Sequence, residues 1–92
     1  MQIITTEFKG PTNSTGSRIR VRSWLKSASI PYNPALNSCE NHKAAAQQLV
    51  NRLNADRVEK GGDYLWNIVA GGSLPDGKGY GFVIELNVEF NQ

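Results

Sequence analysis

The sequence predicts an α+β fold in which one amphipathic helix packs on one face of an antiparallel β-sheet. Segments of alternating apolar and polar residues stand before and after a single long helical pattern, in the order β-β-(β)-α-β-β. The sheet has four strands, or five if the short segment in parentheses is also a strand. Because one helix covers only one face of such a sheet, we expect the other face to be polar and exposed.

Two strands with a loop between them are predicted in the first part of the chain. Residues 2–8 alternate loosely and are rich in Ile and Thr, which favours a strand. The turn-rich segment KGPTNSTGS follows. Residues 18–24 then alternate strictly, with Ile19 and Val21 on one face and three arginines on the other. After a tight turn, residues 28–31 form the short candidate strand, which ends at a proline.

A helix is predicted between an N-cap at Asn37 and a stop at the glycine pair Gly61 and Gly62. Asn37 with Glu40 three residues later is a variant of the capping box. The two glycines are typical of the end of a helix. Apolar positions recur between them at helical spacing and form one stripe. The stripe consists of His42, Ala45, Ala46, Leu49, Val50 and Leu53.

Two strands joined by a hairpin are predicted after the helix. Residues 64–70 alternate, and the segment GGSLPDGKG has turn chemistry, with Pro, Asp and Gly in order. The last strand is the longest and carries an apolar side chain at every second position, so we expect that face to lie under the helix. These apolar residues are Tyr80, Phe82, Ile84, Leu86, Val88 and Phe90.

The length and composition predict a single domain over residues 1–92. Hydrophobic residues make up 39% of the chain and charged residues 20%, which is typical of a folded domain with a modest core. No apolar run reaches the length of a membrane span, and the N-terminus lacks the basic and apolar regions of a signal peptide. We therefore expect a cytosolic protein.

The charge is distributed unevenly along the chain. The net charge is +2, but residues 1–43 carry six Lys and Arg against two Asp and Glu, a balance of +4. Residues 44–92 carry four against six, a balance of −2. The stretch from Lys9 to Lys26 holds five cations and no acid. This asymmetry indicates a polyanionic partner.

The sequence contains few side chains suited to catalysis, and it predicts neither an enzyme nor a cofactor. Its single histidine, His42, lies in the apolar stripe of the helix, where we expect a hydrogen bond to the PYN loop. Cys39 is the only cysteine, which excludes an internal disulfide and a cysteine zinc site. The GKG segment is followed by a strand rather than a helix, so it is hairpin chemistry and not a phosphate loop.

The three arginines of the second strand are the main candidates for binding. On a strand they stand roughly 6–7 Å apart on one face, close to the step between phosphates of a nucleic acid strand. A solvated face, with the arginines paired to Glu7, Glu85 and Glu89, is the competing interpretation. Trp24 would extend the same face and stack on a base. The candidate contact residues are Lys9, Asn13, Ser14, Arg18, Arg20, Arg22, Trp24, Lys26, Lys43 and Lys78.

Four blocks of the chain resemble small proteins of phages and mobile elements. ITTEFKGPTNSTGSRI resembles their opening pattern I-T-T-x-[YF]-x-G-P-T-N-x-x-G-S-R-I, and IPYN, ENHKAAAQQL and GGSLPDGKGYGFV resemble later blocks. The segment NADRVEKGGDYLWNI departs from the pattern. Within this group, the chain is similar to anti-CRISPR proteins that act on type I-F systems.

That resemblance implies a monomeric, non-catalytic inhibitor in the cytoplasm of an infected bacterial host. Such a protein would bind the type I-F crRNA-guided surveillance complex, also called the Csy or Cascade complex, and block target DNA. It implies a binding role for Asn13, Arg18 and Arg20, whereas the other candidates rest on charge and position alone. A positively charged inhibitor cannot imitate DNA, so we expect it to bind crRNA or to occupy the surface along which the target DNA would bind.

Two other functions fit the same residues. A phage nucleic-acid-binding or regulatory protein acting alone would bind free DNA or RNA with a steep dependence on salt. A virion or assembly component would associate stably with itself. None of the three needs a small-molecule substrate or a membrane.

Overall fold

The computed structural model describes residues 1–13 and 16–89, the last three of them by their backbone alone. The predicted α+β fold is confirmed, and the short candidate strand is present. The elements are β1 (Gln2–Lys9), β2 (Arg18–Arg22), β3 (Ser27–Pro31), α1 (Ser38–Glu59), β4 (Tyr64–Ser73) and β5 (Gly79–Glu89). All neighbouring strands are antiparallel, in the order β3-β2-β1-β5-β4.

The helix begins and ends where the capping signals predict. The Glu40 backbone N–H donates to Asn37 Oδ1 at 2.8 Å, and the Asn37 N–H donates to Glu40 Oε1 at 3.1 Å. This completes the capping box. At the other end, Gly61 has a φ of +80°, a conformation that side chains other than glycine rarely adopt, and the helix stops there.

One layer of apolar side chains lies between α1 and the sheet. The predicted stripe of the helix is confirmed, because all six of its residues are buried. The sheet contributes residues from four strands, and most of the resulting core is completely inaccessible to water. The buried apolar sheet residues are Ile4, Ile19, Val21, Ile30, Phe82 and Ile84.

Only part of the long strand β5 lies under the helix. Phe82 and Ile84 are buried, and Tyr80 packs against the core, as predicted. Leu86 is 38% exposed, so the prediction that the whole apolar face lies under the helix is wrong at this position. A register shift between Leu65 and Trp66 interrupts the regular pairing of β4 with β5 next to it. The Val88 side chain and Phe90 lie outside the described part of the chain.

The second strand is shorter than predicted. It ends at Arg22, because Ser23 forms a tight turn with Lys26. The Ser23 N–H donates to the Lys26 carbonyl at 2.8 Å, and Ser23 Oγ accepts from the Lys26 N–H at 2.9 Å. Trp24 therefore lies in the turn, and the prediction that it continues the arginine face of the strand is wrong.

The hydrogen bond predicted between His42 and the PYN loop is also wrong. The ring of His42 is buried and shares a hydrogen bond of 2.7 Å, through Nδ1, with Thr6 Oγ1 on β1. It also packs against the ring of Tyr80 at 4.6 Å. The neighbouring Asn41 bonds the loop instead. Its Oδ1 accepts from the Asn33 N–H at 2.7 Å, and its Nδ2 donates to the Asn33 carbonyl at 2.9 Å.

Replacing Asn41 by alanine is expected to lower the free energy of unfolding by about 2 kcal/mol, because partly buried backbone groups would lose their partners. Asn41 Nδ2 also donates to the carbonyls of Leu36 and Asn37, so one side chain holds the whole loop before α1. Urea denaturation measures the loss. The matched control Asn51→Ala removes only an exposed helix contact with Gln47 and should change stability by less than about 0.5 kcal/mol. Equal losses in the two variants would contradict the assignment.

The buried His42 should make stability depend on pH. Burial lowers the pKa of His42 below its ordinary value of 6.5. The unfolded chain then binds more protons than the folded one as the pH falls below that value, so the folded state loses stability. We expect the melting temperature to fall between about pH 7 and pH 5. His42 is the only histidine, so a His42→Gln variant should show a flat profile there. A flat profile in the unchanged protein would contradict the prediction.

Candidate anion-binding surface

The sheet has one face that α1 does not cover, which we call the open face. The strand register places Arg18, Arg20 and Arg22 on it, opposite Lys9, Glu7 and Thr5 of β1 respectively. On their other side, the arginines face Pro31, Ser29 and Ser27 of β3. Alternation along β2 turns Ile19 and Val21 into the core, which is why the arginines point away from it.

Two of these arginines border a cleft on the open face, which we call the basic cleft. It has a volume of about 170 Å³ and is lined by Arg20 and Arg22 from β2, by residues of β1, and by the β4–β5 hairpin. The hairpin brings Lys78 to the same cleft. A turn sets the position of Lys78: its backbone N–H donates to Asp76 Oδ1 at 2.9 Å. The cleft therefore gathers three cations from two distant parts of the chain, beside the carboxylates of Glu7 and Asp76.

The acids near the basic cleft do not neutralise its arginines by direct pairing. Glu7 instead accepts a hydrogen bond of 2.8 Å from Lys9 Nζ. That bond and the charge of Lys9 lower the pKa of Glu7, and the charges of Arg22 and Lys78 lower it further. Glu7 consequently stays ionised at neutral pH, already engaged with its own lysine.

The guanidinium groups of Arg20 and Arg22 have no ion-pair partner among the side chains that the structure describes. Both residues are exposed. Glu85, a predicted partner, lies on β5 opposite Asn67, six residues along the strand from Gly79 of the cleft, and does not line the cleft. The side chain of Glu89, another predicted partner, lies outside the described part. Two guanidinium groups with their hydrogen-bonding edges open to solvent are suited to holding an anion such as phosphate.

Two of the other predicted contact residues lie beside the cleft but have partners of their own. Lys26 Nζ forms an ion pair of 2.6 Å with Asp56 of α1, and that hydrogen bond lowers the pKa of Asp56. The ring of Trp24 packs edge-on against Trp66, with centroids 5.0 Å apart, and remains 48% exposed. Both line a second, more open depression together with Arg20 and Arg22. They border the arginines but are not part of the row.

The remaining candidates are scattered. Lys43 is exposed on α1, on the opposite side of the sheet from the arginines, and lines a groove between α1 and β4. Asn13 is exposed in the loop before β2. Ser14 lies outside the described residues. Lys9 is on the open face but is engaged with Glu7.

Six residues that line the cleft were not among the predicted contact residues. They are Thr5, Thr6, Glu7, Leu74, Asp76 and Gly79. Thr5 could have been found from the alternation of β1, since it shares a face with Glu7, but only the pairing of β1 with β2 sets it opposite Arg22. Nothing local to Gly79 indicates its position, which depends on the pairing of β5 with β1.

Comparisons with known proteins add no assignment to this geometry. No protein-family model, no curated protein and no solved structure matches the chain. Among the residues that the structure describes, no helix is long and apolar enough to cross a membrane.

Proposed function

We propose that the protein is a phage-encoded anti-CRISPR inhibitor that binds the type I-F crRNA-guided surveillance complex and blocks its binding of target DNA. One observation carries the proposal: Arg20 and Arg22, open to solvent and without an ion-pair partner among the described side chains, converge with Lys78 on one cleft. The PTNSTGSRI block resembles small phage and mobile-element proteins, and within that group the length and character of the chain resemble type I-F anti-CRISPR proteins. This resemblance supplies the identity of the partner.

The chemistry of the cleft favours a stoichiometric binder over an enzyme. Catalysis of acyl or phosphoryl transfer needs a nucleophile or an activated water beside a base. The only histidine is buried on the other side of the sheet with Thr6. The basic cleft is lined by three cations and two carboxylates, and its guanidinium and ammonium groups are suited to holding an anion. The protein would act as a monomer in the cytoplasm of the infected host, with the cleft against the phosphates of crRNA or across the path of the DNA.

Co-elution tests this function. The protein would be mixed with purified type I-F surveillance complex and passed over a size-exclusion column, and the fractions would be assayed for target-DNA binding by gel shift. We expect co-elution and loss of DNA binding at a fixed molar ratio. Undiminished DNA binding at a saturating dose would overturn the proposal.

A nucleic-acid-binding protein acting alone is the second candidate, favoured by the spacing of the arginines on β2. It would bind free RNA or DNA, with an affinity that falls steeply with salt as each contacted phosphate releases counterions. A gel shift with free oligonucleotides at low salt separates the two functions. The inhibitor should bind free nucleic acid weakly and the assembled complex tightly.

A further inference from the structure

Beside the basic cleft, the open face is apolar. The register places Ile3 of β1 opposite Val83 of β5, and Val83 opposite Ala70 of β4. These three side chains form a row across three strands on the side of the sheet away from α1. Ile3 is 57% exposed. The row runs from the central strand β1 to the edge strand β4, so this part of the face differs from the polar surface that the sequence predicts.

Glycines make a hollow next to this row, which we call the apolar hollow. Gly81 and Gly72 stand opposite each other and have no side chain to fill the space. A Cβ built on Gly72 would meet no atom within 4 Å. The hollow is lined by the three apolar residues, the glycines, and Leu74 of the β4–β5 hairpin, with Ser73 as the one polar side chain.

The apolar hollow and the basic cleft adjoin. Leu74 lines both of them. Along β1, Ile3 in the hollow is two residues from Thr5 in the cleft, which is a separation of roughly 7 Å. A single partner can therefore contact both sites if its surface presents an apolar group and an anion roughly 7 Å apart.

We propose that the open face binds a protein subunit and the nucleic acid held by that subunit at the same time. An apolar side chain of the subunit enters the apolar hollow, and a phosphate of its nucleic acid enters the basic cleft. This inference rests on the proposed function and specifies its partner surface as a protein–nucleic acid boundary. Free nucleic acid would satisfy the cleft and leave Ile3 and Val83 exposed, so it fits only half of the face.

The charges disfavour a second copy of the chain as the occupant. A two-fold contact through the open face would bring two such clefts towards each other. Each carries a net positive charge, three cations against the acids Glu7 and Asp76, so the two copies would repel each other. A partner with phosphates beside apolar side chains complements both halves of the face.

The test compares binding to the assembled type I-F complex with binding to a free RNA oligonucleotide of crRNA length. The Ile3→Ser variant removes apolar contact, and the Gly72→Gln variant fills the hollow where the structure leaves room. Each should weaken complex binding about 10- to 100-fold, the effect of losing one buried apolar side chain. Each should leave the weak binding of free RNA unchanged. The control Val58→Ser removes an apolar side chain of similar exposure from α1 and should change neither affinity.

Three results would overturn the inference. The first is full affinity of both hollow variants for the complex, measured on protein whose melting temperature shows that it is folded. The second is a loss of affinity for free RNA in the hollow variants as large as their loss of affinity for the complex, which would show that RNA contacts the whole open face. The third is a dimer in sedimentation that Ile3→Ser dissociates. If the unchanged protein fails to bind the complex at all, the proposed function fails, and the inference fails with it.

Discussion

Charge reversal of Arg20 and Arg22 to glutamate is expected to abolish inhibition of the surveillance complex while leaving the domain folded. Both side chains are exposed on the open face and form no ion pair with a described side chain. The cost to the folded state is the repulsion between the new carboxylate at position 20 and Glu7 opposite it, at most about 1 kcal/mol. A hydrogen bond to a charged group contributes about 1.5–3 kcal/mol. Losing two such contacts should weaken binding at least about 100-fold, since 1.4 kcal/mol is a factor of ten.

The measurement is a competition gel shift with labelled target DNA and increasing amounts of inhibitor. Circular dichroism and urea denaturation would verify that the variant is folded. The control is Lys43→Glu with Arg52→Glu, which changes the net charge by the same amount on the exposed surface of α1. That control should inhibit like the unchanged protein. It also tests the prediction from the sequence that Lys43 contacts the partner.

Two outcomes would contradict this assignment in different ways. Full inhibition by the arginine variant at equal dose would show that the open face is not the binding surface. Equal loss in both double variants would show that only the total charge matters. Salt separates a contact from a long-range field, because charges farther apart than about 8–10 Å are largely screened at 0.1–0.15 M ionic strength. The difference between the two double variants should therefore persist at physiological salt.

The helix and the arginine row were predictable because their signals are local. The cap at Asn37, the stop at Gly61 and the stripe between them all lie within one stretch of chain, and they are correct to the residue. Strict alternation in β2 likewise separates Arg20 and Arg22 from Val21 without knowledge of any other strand. Hydrophobic burial drives both patterns, and it is recorded in the sequence at fixed periods.

The partners of those residues were not predictable, because they depend on strand order and on turns. The competing interpretation paired the arginines with Glu7. Lys9, two residues away on the same face of β1, forms the ion pair with Glu7 instead. The assignment of the loop bond to His42 rather than Asn41 failed by one residue, which on a helix is a rotation of about 100°. Ser23 ended β2 early and so placed Trp24 beside Trp66.

The apolar hollow escaped sequence analysis for a related reason. Ile3 and Val83 each occur in strands whose opposite face supplies the core, so neither stands out in its own segment. Their contact across β1 and β5 exists only because residues about eighty positions apart are paired. The gap next to them needs Gly72 and Gly81 to be opposite each other, which the register of β4 and β5 determines.

Gly79→Ala is expected to lower the free energy of unfolding by about 3 kcal/mol, near the upper end of the usual effect of overpacking. Gly79 is buried where β5 passes β1, opposite Glu7. A Cβ at this position would lie 1.9 Å from the backbone oxygen of Thr6. Real Cβ atoms do not approach that closely, and a backbone atom cannot rotate away as a side chain can. The two central strands would have to separate, at the expense of their hydrogen bonds.

Urea denaturation of Gly79→Ala beside Gly72→Ala measures this loss against a matched control. Both glycines lie in the β4–β5 hairpin strands, but the added Cβ at Gly72 meets no atom within 4 Å. Gly72→Ala should be neutral or slightly stabilising, since alanine reduces the freedom of the unfolded chain. Equal stability of the two variants would contradict the close approach.

Because Gly79 directly follows Lys78, the forced separation also moves that lysine relative to Arg20 and Arg22. Gly79→Ala should therefore weaken inhibition even under conditions where the variant is fully folded. If Gly79 acted only on stability, the fully folded variant would inhibit like the unchanged protein.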